Sequence, residues 1–473
     1  MSDPKRVVIL GGGPAGIWTA LHLLRLHPGL SVTILEMQEF PGGIAGSFKA
    51  HGLTWDLGSH RLHPAVSPGL LGDVRGLLGE NLLKRPRNGR ILLEGRLLGF
   101  PLSPADLAQH LPPSFALGAV FDGLTAPFRR RPGADATFGA LMMAGLGRTI
   151  CRRFYFPYAE KLWGLSPNAL DGEQARRRVS AGTLGSMLEK LVPSSRSGID
   201  KRSFHYPFGG FGSIFTAAAR KVESMGGTLL RGAVVRSVTP PIPGSAGLIG
   251  YTGGRGDASL PADFVFSTIP VTGLVPALTV PVPGEVRAAA SSLSYRSMVL
   301  CCVVLDSCQF SAYDAHYFPG PETRFSRVSE RQNYDESRES PGSTGLCLEM
   351  PCFRTDPLWS MDDREILAIA LSGLTAAGLA VSGVKAFFTR RITEAYPSYP
   401  TGWHRHFGEV DRWLAQVPGL VTLGRQGLFV HDNVHHAMEM GAAAARCFDP
   451  ATGWDPLRWS EARKLFRKNV VED

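Results

Sequence analysis

The chain has 473 residues, 44% of them hydrophobic, which predicts a globular protein with a large core divided into two lobes. Its 50 Lys and Arg residues exceed the 41 Asp and Glu residues, and the net charge is +9. The sequence lacks a long basic run and zinc-finger spacing, which argues against nucleic-acid binding and favours an anionic cofactor or substrate. The seven cysteines form no CxxC pair, so we expect a reducing, cytoplasmic environment.

Residues 6–36 have the pattern of a strand, a helix and a second strand. The apolar run RVVIL precedes glycines at GxGxxG spacing, apolar residues then recur at helical period, and "SVTILE" is a second strand ending at Glu36. Gly11 permits a tight turn, Gly13 admits a pyrophosphate close to the backbone, and Gly16 lets helix and strand pack closely. Glu36 is placed to bond ribose hydroxyls, so the unit predicts dinucleotide binding.

A second glycine pair, Gly42 and Gly43, follows Glu36 and adds another loop of closely approaching backbone. With this loop the chain resembles the flavoprotein group that contains amine oxidases, protoporphyrinogen oxidases, phytoene desaturases and UDP-galactopyranose mutases. The resemblance implies FAD as the cofactor. In most of the oxidases an Arg follows the second glycine, whereas this chain has Ile44, which tilts the resemblance away from the amine-oxidase branch.

Further segments extend the resemblance over nearly the whole chain, closest to the UDP-galactopyranose-mutase-like branch. They are "GLTWDLGSHRLHP" at 52–64, "FYFPYAEKLWGLSPNAL" at 154–170, "FSRVSERQNYDE" with "CLEMPC" as a paired Arg/Glu strand region, and "LVTLGRQGLFVHDNVHHAMEMGAAAA" at 420–445. The last segment also has the pattern of a strand, a glycine and a small-residue helix, which offers backbone N–H groups and the Arg425 guanidinium to an anion.

The resemblance implies a set of cofactor contacts spread over the chain. Val235 is expected to lie against the adenine, and His60 near the flavin. The full expected cofactor set is Gly11, Gly13, Pro14, Ala15, Gly16, Glu36, Gly42, Gly43, Ile44, His60, Val235, Gly424, Arg425 and Met440.

Two groups of residues are candidates for catalysis and substrate binding. His63 and His60 are expected beside the flavin ring, where an imidazole can stabilise charge, although His60 could instead satisfy a structural turn. Arg327 is a candidate anion clamp, because a guanidinium binds carboxylate or phosphate in bidentate fashion, or else an ordinary surface residue. The candidate substrate-binding residues Tyr158, Lys161 and Trp163 have the alternative of simple core packing.

The expected fold class is α/β, with a doubly wound, Rossmann-like FAD-binding lobe and a mixed α+β substrate lobe built from insertions. The turn sequences "PPIPGSAG" and "YTGGRGD" predict hairpins, and a helix is expected at 362–378. The FAD-binding lobe is predicted to comprise 1–75, 205–290 and 415–473, and the substrate lobe a mostly helical part at 76–204 and a β-rich part at 291–414.

Two classes of enzyme fit these features. The first is an FAD-dependent oxidoreductase that takes a hydride from a C–H bond of a small, anionic substrate. The second is a redox-neutral flavin-dependent sugar mutase. The resemblance to UDP-galactopyranose mutases implies that tyrosines contact the substrate diphosphate in such an enzyme. At the corresponding positions this chain has Met350, and Val430 or His431, which favours the oxidoreductase. A non-catalytic FAD-binding protein is the third alternative.

Residues 115–131 are the one stretch for which the sequence suggests possible membrane contact. The sequence shows no secretory signal and no run of about 18 apolar residues of the kind that spans a bilayer. "FALGAVFDGLTAPFRRR" at 115–131 is apolar and ends in a basic cluster, so peripheral membrane contact is one interpretation. The favoured interpretation is a buried helix with a solvated, Arg-rich end. The sequence does not define the oligomeric state.

Overall fold

The computed structural model describes residues 5–129, 132–133, 135–178, 202–335, 337 and 339–471. Part of the predicted helical insertion, residues 179–201, therefore lies outside the described residues. Among the described residues, no helix is long and apolar enough to cross a membrane.

A five-stranded parallel sheet forms the centre of the first lobe. Its middle strand Arg6–Leu10 has side chains that alternate between two cores, Val7 and Ile9 on one face and Val8 and Leu10 on the other. Burial on both faces explains why this strand is a continuous apolar run. In spatial order the strands are Leu420–Thr422, Phe264–Ser267, Arg6–Leu10, Ser31–Leu35 and Thr228–Leu230.

Helices cover both faces of this sheet, as expected for a doubly wound fold. The core on one face is completed by Pro14–Leu26, Pro68–Leu78, Ser213–Ser224, Val434–Arg446 and Pro456–Phe466. The core on the other face is completed by Val271–Ala277, Gly284–Ser292 and Trp403–Leu414. A three-stranded antiparallel sheet, Val234–Thr239, Gly247–Gly253 and Gly256–Ala262, stands at the side of this lobe, and its two connections are the predicted turns.

A seven-stranded mixed sheet forms the second lobe and draws strands from both predicted insertions. The first insertion thus contains strands as well as helices. The pair Ala315–Tyr317 and Gly89–Leu93 is parallel, and the other pairs are antiparallel. The order is Val384–Pro397, Tyr295–Leu305, Thr344–Cys352, Arg327–Glu330, Ala315–Tyr317, Gly89–Leu93 and Arg96–Phe100.

The helix predicted in this lobe begins at a capping signal. The predicted helix at 362–378 is present as Asp363–Ala376, and Asp362 and Glu365 form a capping box at its start. The other helices are Pro104–His110, Pro113–Thr125, Phe138–Leu146, Arg148–Ile150, Phe156–Trp163, Gly172–Arg178 and Pro357–Ser360.

The remaining elements are short. Three two-stranded pairs are Ser47–Ala50 with Leu53–Asp56, Leu82–Pro86 with Ser203–Pro207, and Phe448–Asp449 with Gly453–Trp454. Single helical turns are Gly43–Ala45, Gly79–Asn81, Ala126–Phe128, Arg331–Asn333 and Gly424–Gly427, and a π-helical turn is Cys151–Tyr155.

Candidate active site

The first glycine loop needs its glycines for two physical reasons. Gly11 has φ of +99°, and a Cβ there would lie 2.5 Å from the Thr268 hydroxyl oxygen. A Cβ on Gly16 would lie 2.0 Å from the Gly11 carbonyl oxygen, so only glycine allows the helix to pack against the loop. Gly13 differs, because a Cβ there would have no neighbour among the described residues within 4 Å. Open space therefore adjoins the first turn of the helix that begins at Pro14.

Glu36 ties the loop to the end of the second strand. Its carboxylate accepts hydrogen bonds from the Gly12 amide at 2.7 Å and the Gln38 amide at 2.8 Å. Burial raises the pKa of this carboxyl, while the hydrogen bonds from Gln38 and Gly12 lower it. A carboxylate has about four acceptor sites, so these two bonds leave it able to accept further hydrogen bonds from ribose hydroxyls.

The second glycine loop lies directly against the first. The Gly42 amide donates a hydrogen bond of 2.8 Å to the Gly12 carbonyl, and Gly42 has φ of +108°. A Cβ on Gly43 would lie 3.3 Å from the Gly13 Cα. The two loops thus form one backbone surface, and Ile44 continues it into the cavity described below.

The C-terminal segment also presses on the start of the first helix. Gly424 has φ of +76°, and a Cβ there would lie 2.7 Å from the Ala15 Cβ. A Cβ on Gly441 would lie 2.3 Å from the Ala15 carbonyl oxygen, so the helices pack backbone to backbone. The Met440 side chain is fully buried in the core rather than in the lining of the cavity.

Val235 lies apart from these loops, opposite Tyr251 in the three-stranded sheet. It is partly buried against the core on the second face of the parallel sheet. Contact between Val235 and the adenine of a dinucleotide therefore stays a prediction.

A cavity, here called the central cavity, is lined by residues of both lobes. Its wall includes the loop residue Ile44, the segment 57–63, and residues of the strands Tyr295–Leu305, Thr344–Cys352 and Val384–Pro397. The charged, histidine and tyrosine side chains in the lining are His60, Arg61, His63, Arg87, Tyr317, Arg327, Glu349, Tyr396, Arg425, His431 and Asp432.

Arg327 lies in this lining, but its guanidinium is engaged by the protein itself. Its Nε and Nη2 donate to the two oxygens of Glu349 at 2.9 and 2.8 Å. Burial opposes the charge, yet the Glu349 carboxylate outweighs it and holds the pKa of Arg327 well above its usual value. Glu349 thus engages two of the guanidinium N–H groups, and the role of Arg327 as an anion clamp stays a prediction.

The two predicted histidines both line the cavity, with different hydrogen bonds. The His60 Nε2 donates to the Leu57 carbonyl at 3.0 Å, and burial lowers its pKa. The His63 Nδ1 accepts a hydrogen bond of 3.1 Å from the Ala65 amide, so the proton of the neutral ring is on Nε2. The His63 ring stacks on His435, with ring centroids 6.3 Å apart.

The predicted substrate residues Tyr158, Lys161 and Trp163 are not among the described residues that line the central cavity. The Lys161 ammonium donates to the carbonyls of Phe318 and Phe325 at 2.6 and 3.2 Å and to the Thr323 hydroxyl at 3.1 Å. Burial lowers its pKa to about 8. Trp163 packs on Phe138, and Tyr158 lies beside Phe154. These contacts favour the alternative of core packing.

Arg425 is in the cavity wall, with its guanidinium carbon 5.0 Å from the centre of the Tyr396 ring. Tyr396 in turn stacks on His431 at 5.0 Å. Tyr396 was not predicted from sequence, because it lies in a long strand with no motif around it.

Asp432 and Arg61 were also missed by the sequence reasoning. The Asp432 carboxylate has no exposed surface, and its Oδ1 lies 3.5 Å from the His436 Nδ1 and 3.7 Å from the Arg177 Nη1. Arg61 lies 3.2 Å from Asp314. The sequence signals were present: Asp432 is within "HDNVHH", and Arg61 separates the two candidate histidines.

Residues 14–446 match the family of flavin-containing amine oxidoreductases. The chain belongs to this family. FAD is accordingly its cofactor. The open space at Gly13, the paired glycine loops and the Glu36 carboxylate fit that cofactor, since they offer backbone N–H groups for a pyrophosphate and an acceptor for ribose hydroxyls.

Curated relatives within this family match only parts of the chain. Coproporphyrinogen III oxidase of Staphylococcus aureus is 24% identical over 48% of this chain and 53% of its own length. The chloroplastic protoporphyrinogen oxidase of Oryza sativa subsp. japonica is 26% identical over 36% of this chain and 33% of its own length. The chain thus spans about half or less of these relatives.

Solved structures share the fold over nearly the whole chain. Reduced UDP-galactopyranose mutase has a TM-score of 0.78 at 21% identity, covering 93% of each chain. Putrescine oxidase bound to putrescine has a TM-score of 0.64 at 16% identity, covering 94% of this chain and 98% of that one. At these identities the likeness establishes the fold, the doubly wound α/β class predicted from sequence.

Proposed function

We propose that this enzyme oxidises an anionic small molecule by removing a hydride from one of its C–H bonds. Bound FAD would supply the acceptor for the hydride, which carries both electrons, and oxygen or another acceptor would reoxidise it. The substrate is proposed to bind in the central cavity, and the remaining roles fall to side chains of the cavity wall.

The charge of the cavity wall carries the proposal. Among the described residues in the lining, four arginines face two carboxylates. Arg327 is matched by Glu349, and Arg61 lies 3.2 Å from Asp314 outside the lining. Arg87 and Arg425 also lie in the wall. A cleft lined by more arginines than carboxylates concentrates anions, so a carboxylate or phosphate substrate suits it.

We propose Arg425 as the residue that fixes the position of an anionic group, either of the cofactor or of the substrate. Its backbone follows Gly424, which is held against the first helix, so the guanidinium is attached to a rigid part of the fold. His63, with its proton on Nε2, is proposed to stabilise the negative charge that would develop on the flavin ring when it accepts the hydride. His60 is proposed to support the same wall.

The mutase interpretation has less support from the residues present. Met350 is fully buried in the core of the second lobe and has no exposed surface with which to contact a diphosphate. His431 lines the cavity, but it offers an imidazole where the resemblance would place a phenol. Net oxidation is therefore the proposed reaction.

The two reactions separate in an anaerobic experiment with the holoenzyme. The holoenzyme is mixed with candidate acids, including coproporphyrinogen III, and in parallel reactions with the methyl ester of each acid. Flavin absorbance is followed in both. Bleaching by an acid but not by its ester supports the proposal, because esterification removes the charge and keeps the C–H bonds. Conversion of UDP-galactofuranose to UDP-galactopyranose by the dithionite-reduced enzyme would instead assign the mutase reaction.

A further inference from the structure

The helix Pro113–Thr125, here called the apolar helix, presents large hydrophobic side chains to solvent. The interpretation of this stretch as a buried helix is therefore wrong for one of its faces. The exposed residues after Leu117 follow it by three, four, seven and eleven positions. This spacing places them on a single side of the helix and of the turn that follows it. Five of them are between 61% and 88% exposed: Leu117, Val120, Phe121, Leu124 and Phe128.

The opposite side of the apolar helix is anchored in the protein. Phe115 is buried in the helical core of the second lobe. Asp122, the only charged residue within the helix, is also buried, and its Oδ2 accepts a hydrogen bond of 2.6 Å from the Thr149 amide. Arg129 donates to the Asp122 carbonyl. This orientation is the inverse of a water-facing helix, which turns its charged residues outward.

The surroundings of the exposed face are basic. Arg129 follows the helix but is paired with Asp122 inside the protein, with 3.7 Å between Nη2 and Oδ1, and the sequence continues with two more arginines. Arg148 and Arg152 are exposed on the segment 148–155, whose first turn packs against the apolar helix. Between residues 113 and 133 the sequence contains no acidic residue other than the buried Asp122. The charge of this region is therefore complementary to an anionic surface.

We propose that the apolar helix docks the enzyme onto a membrane surface that contains anionic phospholipids. Its hydrophobic side chains project from one convex helix, so they can enter the acyl boundary together while the protein stays outside the bilayer. The arginines beside it pair with lipid headgroups, and each such cation near an anionic membrane strengthens binding. Arg148 and Arg152, exposed on the neighbouring segment, thus supply the electrostatic half of the same contact.

Vesicle sedimentation of the intact holoenzyme tests the docking. Large vesicles of phosphatidylglycerol mixed with phosphatidylcholine are compared with vesicles of phosphatidylcholine alone. The expected result is partitioning about tenfold or more stronger to the anionic vesicles, weakening as salt is raised, because headgroup attraction is screened. Equal binding to both vesicle types, or binding to neither, would overturn the proposal.

A matched pair of variants locates the contact. The triple variant Leu117→Gln, Phe121→Gln, Leu124→Gln should lose about tenfold or more of its partitioning, because polar side chains replace the inserted apolar area. The control Leu457→Gln, Leu465→Gln alters two exposed residues of the helix Pro456–Phe466 and should bind as the unchanged protein does. Both variants should retain FAD and the melting temperature of the unchanged protein.

The same variants distinguish a lipid partner from a second copy of the chain. Light scattering without lipid should give the same mass for the unchanged protein and the triple variant. A concentration-dependent dimer that the triple variant abolishes would show that the apolar face is covered by another copy, and would overturn membrane docking.

Discussion

Arg327 and Glu349 form a bidentate ion pair across two neighbouring strands in the wall of the central cavity. The strands place the two residues directly opposite each other, and the guanidinium donates to both carboxylate oxygens at 2.9 and 2.8 Å. The Glu349 Oε1 also accepts a hydrogen bond of 2.8 Å from the Ser59 amide, beside His60. The pair thus joins the second lobe to the segment that carries both candidate histidines.

Glu349→Gln should be strongly destabilising, because it leaves the Arg327 charge buried without its partner. We expect a loss of about 3–5 kcal/mol in the free energy of unfolding. The double variant Arg327→Met, Glu349→Gln should recover part of that loss, since the uncompensated charge is gone. The matched control is Asp306→Asn, which breaks the exposed pair with Lys385 and should cost about 1 kcal/mol or less. Equal losses in Glu349→Gln and the control would refute a buried pair.

Arg425→Met should weaken retention of FAD by about 1.5–3 kcal/mol, the usual worth of a hydrogen bond to a charged group. Arg425→Lys keeps the charge but not the planar fork, and should give an intermediate value. Affinity is measured by titrating the apoprotein with FAD. Unchanged FAD affinity with a raised KM would assign Arg425 to the substrate, and no change in either would remove it from the site.

His63→Ala should retain FAD but slow anaerobic flavin reduction by about 10²–10³, the usual cost of losing a preorganised donor near developing charge. The change also removes the acceptor of the Ala65 amide, so the melting temperature is measured in the same variant. His404→Ala, an exposed histidine outside the described lining of the cavity, is the control. A destabilised protein with normal reduction kinetics would show that His63 is purely structural.

His435 should make the protein less stable in mild acid. Burial, with His436 and His63 nearby, lowers its pKa from 6.5 to about 3. Below pH 6.5 the unfolded chain binds a proton that the folded protein does not, so stability falls as the pH drops through that window. From about pH 7.5 to about pH 5.5, the unchanged protein should lose ~1.4 kcal/mol relative to His435→Gln. Parallel unfolding curves for the two proteins over that range would contradict this assignment.

Local sequence signals predicted the cofactor lobe well, since backbone geometry alone requires its glycines. A Cβ on Gly11 would lie 2.5 Å from its nearest neighbour and a Cβ on Gly16 only 2.0 Å, so no other residue type would fit at either position. The helix Asp363–Ala376 was predicted for a similar reason, because its capping box involves residues only three positions apart. Such features depend on neighbours in sequence and can be found without the structure.

Features that depend on distant partners were predicted poorly. Lys161 was expected at the substrate, but its three acceptors lie more than 150 positions away in the chain. For the apolar helix the sequence left both a membrane-surface element and a buried helix open and favoured burial, because hydrophobic residues are ordinarily buried. The burial of Phe115 and the Asp122 bond to Thr149 show which side turns inward. Asp432 gave a signal within a histidine run, but its ion-pair partner Arg177 comes from another segment.

Anaerobic flavin reduction by paired acids and methyl esters tests the central claim most directly. The account predicts that an acid bleaches the flavin of the holoenzyme while its ester does so at least about tenfold more slowly, because the cavity wall carries surplus arginines. Bleaching that is equal or faster with the esters would contradict an anionic substrate. Interconversion of UDP-galactofuranose and UDP-galactopyranose by the reduced enzyme would contradict net oxidation.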